Sequence, residues 1–328
     1  ESVERAIPDS AVREALARLG VGSATVVPLT ARGHTLGALG LFNREERGAL
    51  NSDQVETAIE IGRRAGLALH HARLFGQQRD LAVALQRSML TDPPEPDHSE
   101  IVVRYVPAAA GAEIGGDWYD AFLQADGATV LAIGDVVGHD TRAAAAMGQV
   151  RGLLRGIGFS SGGSPAEILS GLDRAMQGLA LDTMATALVA RLEQDGEDLR
   201  TGITRLRWSS AGHPSPAMLS AGGTASMLAE DPSDLLLGVA PQSARTEHVA
   251  VIERGATVLL YTDGLVERRD RDLDEGTAEL CKVLEECAGL PLDELCDQVL
   301  ERLFLPDAED DVAILAVRLH PQDEPRPP

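Results

Sequence analysis

The stretch from Ile114 to Asp140 constrains this chain more than any other. It reads Ile114-Gly115-Gly116-Asp117-Trp118-Tyr119-Asp120, then an apolar run, then Gly134-Asp135-Val136-Val137-Gly138-His139-Asp140. Asp117 and Asp135 each stand beside glycine at the end of a short strand-like segment. Glycine lets a backbone approach a ligand closely. Aspartate oxygens without an adjacent side-chain base suit a hard cation such as Mg or Mn. Two more acids recur downstream, in Tyr261-Thr262-Asp263-Gly264 and in Glu309-Asp310-Asp311-Val312. One Asp-Gly after a strand is an ordinary turn. Four carboxylates at strand ends are harder to dismiss, because burying them is costly unless a cation joins them. The expectation is that Asp117, Asp135, Asp263 and Asp310 converge on a pair of divalent ions.

Composition narrows the function classes. With 328 residues there is chain enough for two domains. A formal net charge of −22 argues against nucleic acid and against anionic membrane surfaces as partners. No apolar run approaches the ~20 residues that span a bilayer, and the sequence shows no signal-peptide pattern, so the expected setting is cytoplasmic. The three cysteines, Cys281, Cys287 and Cys296, lack paired metal-ligand spacing and read as small buried helix residues.

Along the chain, Val12–Leu19 has helical spacing. Ala24–Leu29 and Thr35–Phe42 read as strands around the Ala31-Arg32-Gly33-His34 turn. Asn51-Ser52-Asp53 signals a helix start, and Asp53–Leu90 could form one helix without proline. Leu67, Leu74 and Leu81 recur every seven residues, with Leu85 adding to the stripe, which suggests a parallel pairing of two protomers and hence a homodimer. The alternative is a helix packed on its own domain. Thr91-Asp92-Pro93-Pro94-Glu95-Pro96 ends the helix.

Beyond that boundary strands are expected at Ile101–Val106, Val130–Val137, Met184–Leu192, Ile203–Ser210, Ala217–Leu219, Thr257–Tyr261 and Val312–Leu319. Helices are expected at Ala143–Leu154, from Ser164-Pro165 to Leu179, and twice late in the chain. Without regular β-α-β alternation this is an α+β pattern, with sheets packed between helix layers.

These motifs together make the chain recognisable. From about Leu81 to Arg318 it resembles the SpoIIE/RsbU branch of the metal-dependent, type 2C serine/threonine phosphatases. The resemblance is carried by Leu85-Gln86-Arg87-Ser88-Met89-Leu90, Arg104-Tyr105-Val106-Pro107-Ala108, Gly115 to Asp120, Gly134 to His139 and Ala144 to Arg151. It continues through Met184-Ala185-Thr186-Ala187, Ser210-Ala211-Gly212-His213-Pro214-Ser215-Pro216, Leu237-Gly238, Tyr261 to Glu267 and Asp310-Asp311-Val312-Ala313. Residues 1–75 resemble the C-terminal half of a GAF sensory domain, for which a further half would be expected upstream.

The resemblance implies an α-β-β-α sandwich phosphatase domain over 97–320 and a partial GAF-type α/β sensor over 1–75. The residues themselves suggest a helical linker over 76–96 and, from its prolines and acids, a disordered tail over 321–328. The resemblance also implies two Mn or Mg ions, with Asp135 bridging them and Asp117, Asp263, Asp310 and the Val136 carbonyl completing the sites, and a water between the ions as nucleophile. Gly116 and Asp311 would support these ligands. His139 and His213 are candidates either for protonating the leaving oxygen or for bracing their loops. Arg104 and Arg151 are candidates for phosphate contact or for ion pairs, and Asp120 for a cap or turn. Asp140 stands where the family usually has glycine, and a carboxylate there would alter metal affinity or fill an outer role beside the ions. The implied substrate is a phosphorylated STAS-domain anti-sigma-factor antagonist, with a small-molecule GAF ligand as a further partner. The competing readings are a catalytically weak signalling scaffold and a phosphatase of small phosphoesters.

Overall fold

Period-two burial organises the C-terminal part of the chain into layers. The computed structural model describes residues 14, 18, 20–94, 96, 99–107, 115–138, 140–194, 196–228, 234–267, 273–304 and 310–320. It divides into two compact units, residues 1–80 and 81–328. Among the described residues no helix is long and apolar enough to cross a membrane.

In the first unit β1 (Val21–Ala31) and β2 (His34–Arg44) form an antiparallel hairpin. Its turn takes positive φ at Arg32 and Gly33. Helix α1 runs from Ser52 to Met89. Gly62 and Gly66 let α1 lie against the hairpin, since a Cβ on Gly66 would sit 2.5 Å from the Thr30 backbone. Leu67 and Leu74 are 40% and 39% exposed; the side chains of Leu81 and Leu85 lie outside the described set, as does nearly all of the helix expected over Val12–Leu19.

The second unit contains β3 (Ser99–Val106), β4 (Asp117–Leu123), β5 (Thr129–Val136), α2 (Thr141–Ser161), α3 (Pro165–Gly178), β6 (Ala185–Glu193), the short α4 (Gly196–Thr201) and β7 (Ile203–Ala211). It continues with β8 (Ala217–Leu219), β9 (Ala225–Met227), β10 (His248–Glu253), β11 (Thr257–Tyr261), α5 (Leu273–Glu286), α6 (Leu292–Leu303) and β12 (Val312–Leu319). Two five-stranded sheets result, in the orders β10-β7-β6-β5-β4 and β3-β12-β11-β8-β9.

Alternate side chains of each central strand point to opposite faces. On β5, Leu131 and Ile133 meet Leu260 of β11 and Leu315 of β12 in the core between the sheets. Val130 and Ala132 point outward, to Met147, Val150 and Leu154 of α2 and Ile168 and Leu172 of α3. On the second sheet, Leu259, Tyr261, Ile314 and Ala316 point outward to Leu280 and Leu284 of α5 and Leu295 and Val299 of α6. The order is therefore helices, sheet, sheet, helices: the expected α-β-β-α sandwich. Asp140 caps α2 by accepting the backbone N–H groups of Arg142 and Ala143 at 2.8 and 2.9 Å, and Gly162 ends it in the left-handed region at φ 59°. A capping box between Ser164 and Glu167 starts α3.

Candidate metal centre

One end of the sandwich gathers the acids. Asp117 opens β4 and Asp135 lies near the end of β5, directly opposite it in the antiparallel register. Asp263 follows β11 and Asp310 and Asp311 precede β12, on the other sheet. The groups are close enough to act on one another. Burial first, and then the charge of Asp135, holds the Asp117 carboxyl well above the usual range; Asp311 and Asp310 add to this and a hydrogen bond from Thr262 opposes it. Burial and then Asp263, Asp310 and Asp311 push Asp135 up to about 8. Asp263 is raised by burial and by Glu267. The charges acting most strongly on Asp117 and Asp135 thus come from other carboxylates, a self-repelling arrangement that a divalent cation relieves.

Glycines supply the space. A Cβ on Gly116 would lie 2.1 Å from the Val136 carbonyl oxygen and 2.5 Å from Asp135 Oδ1. Gly116 in turn accepts the Val136 N–H at 3.1 Å. A Cβ on Gly115 would overlap the Asp311 carboxylate, and one on Gly264 would lie 2.3 Å from the Asp311 carbonyl. Carboxylates and a carbonyl oxygen crowded around side-chain-free backbone form an all-oxygen donor set, which fits Mg or Mn. Asp117, Asp135, the Val136 carbonyl, Asp263 and Asp310 are the residues that would hold such ions. No compact group of three or more metal-ligating side chains stands ready-made among the described residues.

Hydrogen bonds orient these groups. Thr262 Oγ1 donates to Asp117 Oδ2 at 2.7 Å. Asp263 Oδ1 accepts the Gly264 N–H at 3.0 Å, and Asp310 Oδ1 accepts the Asp311 N–H at 2.9 Å. Tyr105 donates its phenolic proton to Asp311 Oδ2. Sequence reasoning missed Thr262, Tyr105, Thr186 and Gly115 as functional residues. All four lie inside the quoted motifs, but nothing in a hydroxyl's position along a strand tells which carboxylate across the sandwich it will meet.

The other expected residues are occupied elsewhere. His213 is 1% exposed. Its Nε2 faces the Tyr261 carbonyl at 3.1 Å and must donate there, so Nδ1 accepts from the Thr186 hydroxyl at 2.8 Å. Burial lowers its pKa to about 3. Both nitrogens are used and the ring is neutral, so the acid role falls away for His213 and bracing remains. His139 lies outside the described residues. Arg104 reaches outward to α6, pairing with Asp293 at 2.8 Å and Asp297 at 2.7 Å. Arg151 donates to the Tyr119 carbonyl at 3.1 Å and to Thr91 Oγ1 at 2.6 Å, and pairs with Asp120 at 3.1 Å. Both arginines therefore take the ion-pair alternative, not phosphate contact. Asp120 is neither cap nor turn: it is a fully buried residue of β4 held by Arg151 and Arg155. Asp140 uses its Oδ1 to cap the α2 N-terminus.

Comparison with known proteins follows this geometry. The sequence profile of Stage II sporulation protein E (SpoIIE) matches residues 125–320, more than half of the chain. The chain is 24% identical over 272 residues to the phosphoserine phosphatase RsbU of Bacillus subtilis (strain 168), covering 79% of this chain and 77% of that one. The structure of the RsbU and RsbW domains of Rv1364c from Mycobacterium tuberculosis matches at 33% identity and TM-score 0.62 over 73% of this chain; the match spans 64% of that protein's length. RsbX in complex with magnesium shares the fold at 18% identity and TM-score 0.53, covering 70% of this chain and 98% of its own. The chain belongs to the SpoIIE family of PP2C-type serine/threonine phosphatases.

Proposed function

We propose that this chain is a phosphoserine and phosphothreonine protein phosphatase that works with two Mn or Mg ions. Asp135 would be shared between the ions, and Asp117, Asp263, Asp310 and the Val136 carbonyl would complete their coordination. The single observation that carries the reading is the Gly116 cradle, where any side chain would collide with both Asp135 and the Val136 carbonyl. Bound ions there would activate water for in-line attack and neutralise charge on the phosphoryl oxygens. The protein's own part is to hold five carboxylates at one sandwich end. Two of them are oriented by hydroxyls: Asp117 by Thr262 of the opposite sheet and Asp311 by Tyr105 of β3. His213 keeps the Tyr261 carbonyl in place, just before Asp263.

The proposed substrate is a phosphorylated STAS-domain anti-sigma-factor antagonist. The relative named as a phosphoserine phosphatase and the relative carrying RsbU and RsbW domains in one protein support that choice. We assign regulation to the N-terminal unit, read as a partial GAF domain, and to α1 as linker, with the half-exposed Leu67 and Leu74 as the seam between two protomers.

The test supplies Mn and compares a phosphorylated STAS-domain protein with a generic aryl phosphate. Protein dephosphorylation with kcat/KM on the order of a hundredfold above the aryl ester is expected. Aryl turnover alone would transfer the site to small phosphoesters, and no turnover of either would overturn the enzyme.

A further inference from the structure

The Thr262 hydroxyl joins the second sheet to an acid of the first. It is fully buried, following β11, whereas Asp117 belongs to β4 of the opposite sheet. Its backbone is fixed by Thr262 N–H donating to the Ala313 carbonyl at 3.1 Å. The Ala313 N–H returns a bond at 2.9 Å, not to the Thr262 carbonyl but to its Oγ1. A hydroxyl has one proton. With Oγ1 accepting from Ala313, that proton points to Asp117 Oδ2, at 2.7 Å. Oδ2 is thereby held by Thr262.

We propose that Thr262 is a positioning residue that presents Asp117 to a metal through one oxygen only, and so biases the centre toward small octahedral ions and against calcium. This rests on the metal-phosphatase reading above. Magnesium-sized ions demand octahedral geometry and take carboxylates by single oxygens. Calcium accepts six to eight oxygens and readily takes both from one carboxylate. A hydroxyl that holds Oδ2 occupies one of its lone pairs and disfavours the second mode at Asp117. Hydrogen-bond partners of ligating carboxylates typically matter 10–100-fold in metal affinity.

The test is calorimetric titration of Mn and, separately, Ca into the full chain and into Thr262→Val and Thr262→Ser. Thr262→Val is expected to bind Mn about 10–100-fold more weakly while Ca binding holds or tightens, so the Mn-to-Ca preference falls. Thr262→Ser keeps the proton and should stay within about threefold of wild type for both ions. A general packing defect would weaken both ions alike, and that result overturns the proposal, as does unchanged Mn affinity in folded Thr262→Val. Should the valine variant fail to fold, Thr262→Ala leaves room for a water at the Ala313 N–H and carries the same expectation. Asp117→Asn separates the two readings. If it binds Mn like wild type, the metal centre itself is misassigned and Thr262 falls with it. If it loses affinity while Thr262→Val does not, Thr262 alone is wrong.

Discussion

At Gly116 an absent side chain makes the site. Its φ is unexceptional, so the requirement for glycine is one of space: the nearest atoms a Cβ would meet are the Val136 oxygen at 2.1 Å and Asp135 Oδ1 at 2.5 Å. Neither can yield without moving a proposed ligand. Gly116→Ala is therefore expected to lower Mn-dependent turnover by about a hundredfold or more, roughly 2.7 kcal/mol of transition-state stabilisation. Steady-state kinetics on an aryl phosphate checks this, with the circular dichroism spectrum unchanged. His213 sets a pH dependence of stability. Its folded pKa of about 3 lies below the ordinary 6.5. Below pH 6.5 the unfolded chain binds a proton that the folded chain refuses, so this contribution is full above pH 6.5 and is lost as pH falls toward 3. From pH 7 to 5 the loss amounts to about 2 kcal/mol. Urea unfolding of wild type and His213→Gln at the two pH values should show the stability gap between them narrowing by that amount on acidification.

At the scale of elements, β4 explains why the carboxylates stay where they are. Trp118 and Phe122 point to the α2/α3 layer, and Tyr119 and Ala121 point to the core between the sheets. A strand buried on both faces shows no alternation of polarity, which is why the sequence revealed its two aspartates and not its extent. The edge strand β10 was missed for a related reason: Val249 and Val251 are apolar yet about half exposed, so its outer face does not read as polar. β4 is anchored by Asp120, fully buried and bound by Arg151 and Arg155, with Thr91 donating to the same oxygen at 3.3 Å. Removing one partner of a buried pair leaves the other charge uncompensated, at about 3–5 kcal/mol. Asp120→Ala should cost about that much in chemical denaturation. A change under about 1 kcal/mol would mean that the pair behaves as a surface ion pair.

At the scale of the whole molecule, the chain's most informative parts were those where a local pattern has a local cause. Ser164-Pro165 fixed the start of α3, the run Val312–Leu319 became β12, and the long proline-free stretch became α1. What no local pattern carries is which strand lies beside which: β3 pairs with β12 from the far end of the chain, and β5 sits between β4 and β6. Those pairings follow from burying both faces of two sheets at once; the lack of regular β-α-β alternation indicated sheets between helix layers, and the family resemblance supplied their α-β-β-α order. The same holds for the site. The aspartates announced themselves beside glycine, but Thr262 met Asp117 only once two sheets stacked, and Tyr105 met Asp311 only through the pairing of β3 with β12. The central claim is that this stacking assembles a metal centre on Asp135. Its most direct test is aryl-phosphate hydrolysis titrated with Mn, on the full chain and on Asp135→Asn. The account expects turnover that rises with Mn in the wild type and falls about a hundredfold or more in the variant. Turnover indifferent both to Mn and to Asp135 would contradict it.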